Sequence, residues 1–359
     1  MIDIRKFAIP ADKTIDVVIP VYNAPDWTRR CIDSIVAHLN QSIRRIIVQD
    51  DASGHETREM LDNLSYDCVD VHHAEKNQGF GISVNAAVNR SDASYVFILN
   101  SDTEVSQDFL PLLCTAFTAD PELAAIVPAG NSYAQYDLGR YMLREAGYIP
   151  NYYLRGHAIL IRRDVFQEIG GFDPAFGRGY YEDIDLGRRL DLHGWRFGIH
   201  PGVCIYHKRR GSFGNGRSQK QLSRRNRAFY LSRYPDARQN ILLFSTNGSL
   251  VNFPSSVLVT IENVFRKGGY VHWFTSARSP TLLCLQMYSQ PLRLTAVIWT
   301  TFRNWWRADR RISAIWMMDD IPFLLRTLLI VWGRVFRLEV KKLSFDESPL
   351  SFEGAILKK

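Results

Sequence analysis

The chain has 359 residues, more than one domain usually needs, with 46% hydrophobic and 23% charged residues. That composition excludes disorder, collagen and a disulfide scaffold, and leaves apolar material for a sizeable core. The formal charge of +7 hides an asymmetry: residues 1–207 carry 19 basic against 28 acidic side chains, residues 208–359 carry 25 against 9, so the basic half is expected to face something anionic.

In chain order, Met1 to Ala11 has scattered charges and no apolar core of signal-peptide length, so secretion is not expected. Ile15 to Ile19 is a β-branched strand closed by Pro20, followed by helical spacing over Trp27 to Leu39 and a second strand, Arg45 to Val48. Asp51-Ala52-Ser53-Gly54 turns into a helix near Glu56 to Leu64. Val69 to Val71 is a third strand, Gly81 to Asn89 a helix, and Tyr95 to Leu99 a fourth strand ending at Asn100-Ser101-Asp102. Strands alternating with helices, each strand a near-continuous apolar run, predict an α/β fold with a mostly parallel sheet flanked by helices. Ligands of such sheets bind beyond the carboxyl ends of the strands, where the acidic residues of this chain fall.

Further on, Phe109 to Ala119 is expected as a helix, Ala124 to Val127 and His157 to Ile161 as strands, with a short helix from Asp164. Ile184 to Leu192 is the next helix, stopped by Gly194; Phe197 to Ile199 and Val203 to Tyr206 are short strands. Residues 208–227 are rich in Gly, Ser and Arg and read as a loop entering a basic helix. Ile241 to Phe244, a helical stretch to Arg266, Gly268-Gly269 and Tyr270 to Phe274 form a possible βαβ unit. We place the domain boundary at 235/236, a catalytic domain over 1–235 and a basic extension over 236–359.

Within that extension, Phe323 to Lys342 fits a helix with Arg326, Arg334, Arg337 and Lys341 on one arc, and Leu325, Leu328, Trp332, Val335 and Phe336 on the other. Such a helix suits a membrane interface with anionic lipid; the alternative is an ordinary helix packed on the catalytic domain. Arg303, Trp305, Trp306, Arg307, Arg310 and Arg311 add a second cationic–aromatic cluster. No run of about 18 uncharged apolar residues occurs to cross a bilayer. The five cysteines, Cys31, Cys68, Cys114, Cys204 and Cys284, are odd in number and lack a C-x-x-C pair, which predicts buried free thiols in a reducing compartment.

Three acidic clusters stand at strand ends or loops: Asp50-Asp51, Asp102 with Glu104, and Glu182-Asp183 with Asp185. A carboxylate after a strand commonly caps the next helix, a reading that fits Asp50 or Asp51 as well as a functional one. It fits Asp102 less well, because Asp102 follows the strongest strand and a polar Asn–Ser pair.

Ile19-Pro20-Val21-Tyr22-Asn23 and Val48-Gln49-Asp50-Asp51-Ala52-Ser53 resemble the opening of the family 2 inverting glycosyltransferases of GT-A fold. Asn77-Gln78-Gly79-Phe80-Gly81, Asn85 and Leu99-Asn100-Ser101-Asp102-Thr103 are similar to the rhamnosyltransferase-like branch. Gly170-Gly171-Phe172-Asp173 and Glu182-Asp183-Ile184-Asp185-Leu186 complete the series, over about residues 14–210. The resemblance implies a bacterial hexosyltransferase of polysaccharide or cell-envelope synthesis. It would move a sugar from a nucleotide-diphosphate donor, deoxythymidine diphosphate–rhamnose or a UDP-sugar, to a glycan or lipid-linked acceptor. The missing signal-peptide core and the amphipathic basic tail lead us to expect the chain in the cytoplasm, attached peripherally to the inner face of the cell membrane.

The same resemblance places base and ribose near Pro20, Tyr22 and Asn23, with Asp50 or Asp51 accepting from the base, and adds Asn77, Gly79, Asn100 and Ser101 to the donor site. Asp102 stands at the last position of the D-x-D motif, where Mg²⁺ or Mn²⁺ would neutralise the diphosphate. Asn100 replaces the motif's first Asp, which predicts weaker metal binding, and His207 is the candidate further ligand. Asp183 is the candidate general base with Glu182 its rival; helix capping is the alternative for that pair. Arg155, Lys208, Arg209 and Arg210 are candidate diphosphate contacts. Rival functions are a nucleic-acid-binding protein using the basic half, a sugar nucleotidyltransferase, and a non-catalytic member of the fold; no Gly-rich phosphate loop follows the first strand to support the second.

Overall fold

The computed structural model describes residues 14–208, 216–305 and 310–345; Met1 to Ala11, Arg209, Arg210, Trp306 and Arg307 lie outside them. The described residues divide into two compact units. The first holds 14–136, 145–148 and 153–230, the second 137–144, 149–152 and 231–345.

The elements of the N-terminal part are β1 (Ile15–Val21), α1 (Pro25–Leu39), β2 (Ile46–Asp50), α2 (His55–Asp62), β3 (Val69–His73), α3 (Phe80–Arg90) and β4 (Tyr95–Leu99). Then come β5 (Thr103–Glu104), α4 (Leu110–Ala119), β6 (Leu123–Pro128), β7 (Ile149–Pro150, in the second unit), β8 (Ala158–Arg162), α5 (Arg163–Glu168), α6 (Glu182–Leu192), β9 (Arg196–His200), β10 (Tyr206–His207) and α7 (Arg217–Arg233). Within the first unit the sheet runs β3-β2-β1-β4-β8-β6-β9. The first four strands are parallel, β8 is antiparallel to both β4 and β6, and β9 is parallel to β6.

Every residue of β1, β2 and β4 is buried, as expected for strands covered on both faces. One face packs Val17, Ile19, Val48, Phe97 and Leu99 against Ile32 and Ile35 of α1 and Leu110, Leu113 and Phe117 of α4. The one acid inside β1, Asp16, is fully buried and accepts from Arg44 (3.0 Å) and Ser91 (2.7 Å), so its charge is matched rather than stranded.

The second unit is richer than one βαβ element. It contains β11 (Asn240–Phe244), α8 (Ser255–Arg266), β12 (Tyr270–Thr275), β13 (Met287–Pro291), α9 (Leu294–Trp305), β14 (Ala314–Met318), α10 (Phe323–Phe336) and β15 (Glu339–Leu343). Its five strands are all parallel, in the order β13-β12-β11-β14-β15. Alternation along β11 sends Ile241 and Leu243 to the α8 face with Val257, Ile261 and Trp273. Leu242 and Phe244 go to the opposite face with Val297 of α9 and Leu329 of α10.

The helix expected over Phe323 to Lys342 stops at Phe336. Arg337 takes a left-handed conformation (φ 54°), its amide and that of Leu338 return to Arg334 and Gly333, and the chain leaves as β15. The expected split of that helix is also redrawn. Leu325, Leu329 and Trp332 pack inward, while Leu324, Leu328, Val331 and Val335 are exposed. Among the described residues no helix is long and apolar enough to cross a membrane. None of the five cysteines forms a disulfide; Cys31, Cys114 and Cys284 are buried as expected, whereas Cys68 is half-buried and Cys204 exposed.

Candidate active site

The carboxyl ends of β1, β2 and β4 meet the first turns of α3 and α7 in the first unit. A cavity of about 240 Å³ there is lined by Pro20, Tyr22, Asp51, Asn77, Gly79, Asn100 and Ser101, seven of the residues read from sequence as donor contacts. Phe80, Ser83, Arg178, Ser218, Gln219 and Leu222 complete its walls along with Val21. Asp51 binds its own neighbourhood. Its two oxygens accept from the amides of Gln78 (2.7 Å) and Gly79 (2.8 Å), and its carbonyl accepts from Asn77 Nδ2 (3.2 Å). It therefore fixes the loop that forms one wall. Gly79 is required there, because its φ is +95° and a Cβ would lie 2.5 Å from the carbonyl oxygen of Gly177.

Asp50 and Asn23 are not among the cavity's lining residues. Asp50 is fully buried and accepts from Ser53 N (3.0 Å) and from the His73 ring (2.8 Å), with Arg58 at 3.3 Å. Burial opposes charge on His73, but its two carboxylate partners, Asp50 and Asp62, prevail and raise its pKa. Asn23, itself left-handed (φ 59°), accepts from Gly54 N through its side chain and donates from its backbone to Ser53. These residues shape the turns that follow β1 and β2.

A second cavity of about 620 Å³ shares Phe80 and Asn100 with the first, and brings together Asp102, Arg155, His157, Glu182, Asp183 and His207. The short pairing of β10 with β5 sets His207 opposite Thr103, one residue beyond Asp102. His207 Nε2 lies 3.1 Å from Asp102 Oδ1, its ring stacks on His157 (5.1 Å between centroids), and Asn131 accepts from its amide and donates to its carbonyl. Lys208 donates its amide to Asp102 O and sets its ammonium 4.5 Å from the Trp27 ring. Arg155 is held by Ser132 O (3.1 Å) and the Tyr136 hydroxyl (3.3 Å) over two tyrosine rings.

Two observations bear on a divalent cation. A separation of 3.1 Å between an imidazole nitrogen and a carboxylate oxygen is about that of neighbouring ligands on one octahedral ion with bonds near 2.1 Å. Asn100 Oδ1, buried beside them, has no hydrogen-bond partner among the described residues. The donor set thus fits a hard cation that takes its remaining ligands from phosphate and water. Among the described residues no group of three or more His, Cys, Asp or Glu forms a fuller metal site.

Glu182 and Asp183 are the first two residues of α6, entered through Tyr180 and Tyr181, both at positive φ (72° and 76°). Such values are costly for aromatic residues. The segment is held by Asn226 of α7, whose amide nitrogen lies 2.7, 2.8 and 3.0 Å from the carbonyl oxygens of Phe176, Gly179 and Tyr180. Asp183 accepts from the Gly156 amide (2.7 Å) and, through its other oxygen, from the Ile184 amide (2.8 Å). Burial raises its pKa against those two bonds and Arg155. Glu182 Oε2 is buried with no partner among the described residues. Its pKa is pushed up to about 8 by burial first and by the neighbouring Asp183 second. Asp185 pairs with Arg189 (2.7 Å) one turn on.

Arg178, Ser218 and Gln219 were not read from sequence as site residues. Arg178 stands between Gly177 and Gly179, a cation in a glycine turn, which was the available signal; the first turn of α7 offered none. Asn85, quoted only as part of a motif, accepts from Phe172 N (2.9 Å) and donates to Phe172 O (2.8 Å), which clamps the turn after Gly171.

The model of glycosyl transferase family 2 matches residues 16–171, and that of glycosyl transferase family group 2 matches residues 95–338. Pre-mycofactocin glycosyltransferase of Mycobacterium tuberculosis (strain ATCC 25618 / H37Rv) is 28% identical over 245 residues, 63% of this chain and 49% of that protein. The N-acetylglucosaminyl-diphospho-decaprenol L-rhamnosyltransferase of the same strain is 38% identical over 65 residues, 18% of this chain and 21% of that protein. The chain thus spans about half the length of the first relative and about a fifth of the second. A solved mannosyltransferase, PcManGT from Pyrobaculum calidifontis in complex with GDP-Man and Mn²⁺, has 19% identity and a TM-score of 0.46 over 57% of this chain and 60% of its own.

Proposed function

This chain belongs to the family 2 glycosyl transferases, and on that premise we propose that its first unit moves a sugar from a nucleotide-diphosphate donor to a hydroxyl of a glycan or lipid-linked acceptor. The transfer is a single displacement that inverts the anomeric carbon. One observation carries this reading: the Glu182–Asp183 pair and the Asp102–His207 pair line one cavity, and that cavity adjoins the one walled by Asp51, Asn77 and Gly79. The nucleotide belongs in the smaller space, among amide and hydroxyl groups and Arg178. The sugar and the acceptor belong in the larger, between the Glu182–Asp183 pair and the Asp102–His207 pair.

Asp183 is the base. Two backbone amides favour its ionised form, while Glu182, at about 8, keeps its proton at neutral pH. The pair then carries one negative charge, and two neighbouring carboxyls are pushed to different roles. The acceptor oxygen loses its proton to Asp183 as it attacks the anomeric carbon from the face opposite the departing diphosphate. Arg155, beside Asp183, is held by Ser132 and Tyr136 at the wall where negative charge gathers. Asp102 and His207 would hold Mg²⁺ or Mn²⁺, which when bound neutralises charge on the diphosphate. Asn100 would contribute a neutral oxygen in place of a second carboxylate, so the protein's own hold on that ion would be weak and would depend on the donor's phosphates.

Deoxythymidine diphosphate–rhamnose is the first donor to try, since a relative is named as an L-rhamnosyltransferase, with UDP-sugars next. Nucleotide release from a panel of sugar donors, with and without divalent cation, tests the reading. Wild type is expected to turn over one donor, and Asp102→Ala and Asp183→Asn to lose that turnover. Full activity in both variants would show that these pairs are not the reacting site.

A further inference from the structure

The second unit turns an apolar surface outward. Fourteen large hydrophobic side chains are exposed among the described residues, and nine of them lie on α9 and α10, so this is one patch and not a scatter. On α10 the exposed positions Leu324 (77%), Leu328 (56%), Val331 (51%) and Val335 (67%) follow the helical repeat and form a stripe. On α9, Leu294, Ile298 and Phe302 repeat every fourth residue, beside Trp299 at 67% exposure. The helices are neighbours: Phe302 meets the rings of Trp332 and Phe336 at 6.3 and 5.6 Å, and both helices cover the same face of the sheet. Their inner sides already pack on Leu242, Phe244 and Ile315, so the outer stripes are surplus to the core.

Charge identifies the occupant. Neither α9 nor α10 contains an Asp or Glu. Exposed cations border the stripes: Arg293 before α9, Arg303 on it, Arg334 on α10 and Arg337 after it. We infer that the α9–α10 face docks this protein on an anionic lipid bilayer, the apolar stripes entering the headgroup boundary and the arginines meeting lipid phosphates. A second copy of the chain fits less well, because a symmetric pair would bring like-charged arginine borders together. A nucleic acid offers nothing to the apolar centre. With 14 residues, α10 is about 21 Å long at 1.5 Å per residue, shorter than a bilayer's apolar core of about 30 Å, so it lies along the surface. The inference rests on the second unit alone and stands or falls separately from the sugar chemistry.

The test uses the full chain with vesicles of phosphatidylcholine, alone or with about a third phosphatidylglycerol. Wild type is expected to sediment with the anionic vesicles, to lose most of that binding at high salt, and to show Trp fluorescence quenched by brominated lipid chains. The quenching should fall in Trp299→Phe. Leu328→Glu/Val331→Glu is expected to weaken binding at least about tenfold with an unchanged melting profile. Arg303→Glu/Arg334→Glu should remove the preference for anionic lipid. Wild type remaining in the supernatant with both compositions would overturn the inference. So would undiminished binding by Leu328→Glu/Val331→Glu, or a wild-type dimer that this double variant dissociates, since a second copy would then cover the face.

Discussion

Just beyond β4 and at the start of α6, the first unit sets Asp102, Glu182 and Asp183 against a cavity. Just beyond β14, the second unit has an acidic pair as well, Asp319 and Asp320, and uses it differently. Asp320 accepts from the Thr246 hydroxyl (2.8 Å) and the Asn247 amide (2.7 Å), and Asp319 from the Ser344 hydroxyl and the Phe345 amide. Both aspartates tie down loops. Acidic pairs thus serve stability in the second unit, and in the first unit the pair at the start of α6 opposes it. Burying Glu182 Oε2 without a partner costs folding free energy; Asp320 Oδ1 is buried without a partner as well, but the two bonds to its other oxygen offset that cost.

Five measurements would break or sharpen that contrast. Asp183→Asn is expected to lower kcat by about 10³-fold, near 4 kcal/mol of barrier, with the donor KM little changed; a loss confined to KM would place Asp183 in binding. In the wild type, kcat should fall as pH drops through the raised pKa of Asp183, because the base must be ionised. Asp102→Ala should cost about 10²-fold, with the divalent cation needed for half-maximal rate shifted upward; an unshifted requirement would separate Asp102 from the ion.

Glu182→Gln should stabilise the protein by about 2 kcal/mol at alkaline pH. The folded-state pKa of Glu182 is raised from 4.5 to about 8, so the folded state holds the extra proton. Wild-type stability is therefore lost as pH climbs between those values, and is not penalised below 4.5. Thermal melts of both proteins at acid and alkaline pH check this; an equal difference at both would mean that ionisation is not involved. Asp320→Ala should do the reverse, destabilising by about 1–2 kcal/mol while donor turnover stays within about twofold. Loss of turnover at unchanged stability would erase the contrast.

The strands of the first unit were legible because each is an apolar run bounded by a turn residue. The largest misreading fell where composition and context disagree. Met287–Pro291 and Glu339–Leu343 carry few apolar residues, because edge strands are covered on one side only, and the second continues a helical pattern until Arg337 turns it. Asp102 and His207 of the larger cavity could be read from residue type at a strand end, and Glu182 and Asp183 from an acidic cluster opening a helix. Arg178, Ser218 and Gln219 could not, because they reach the smaller cavity from a glycine turn and a polar helix whose local sequences say nothing of what they face. For Asp50, the partner that decides its role, His73, sits on the neighbouring strand and becomes visible only with the register Asp50↔His73.

The amide of Asn226 joins α7 to the carbonyls just before Glu182, and the first turn of the same helix, Ser218 and Gln219, walls the smaller cavity. In kinetic terms this favours order over chance. A nucleotide that settles α7 also steadies the two left-handed tyrosines that aim the carboxyl pair. Donor should then bind before acceptor, and the empty enzyme should have little affinity for the sugar's destination.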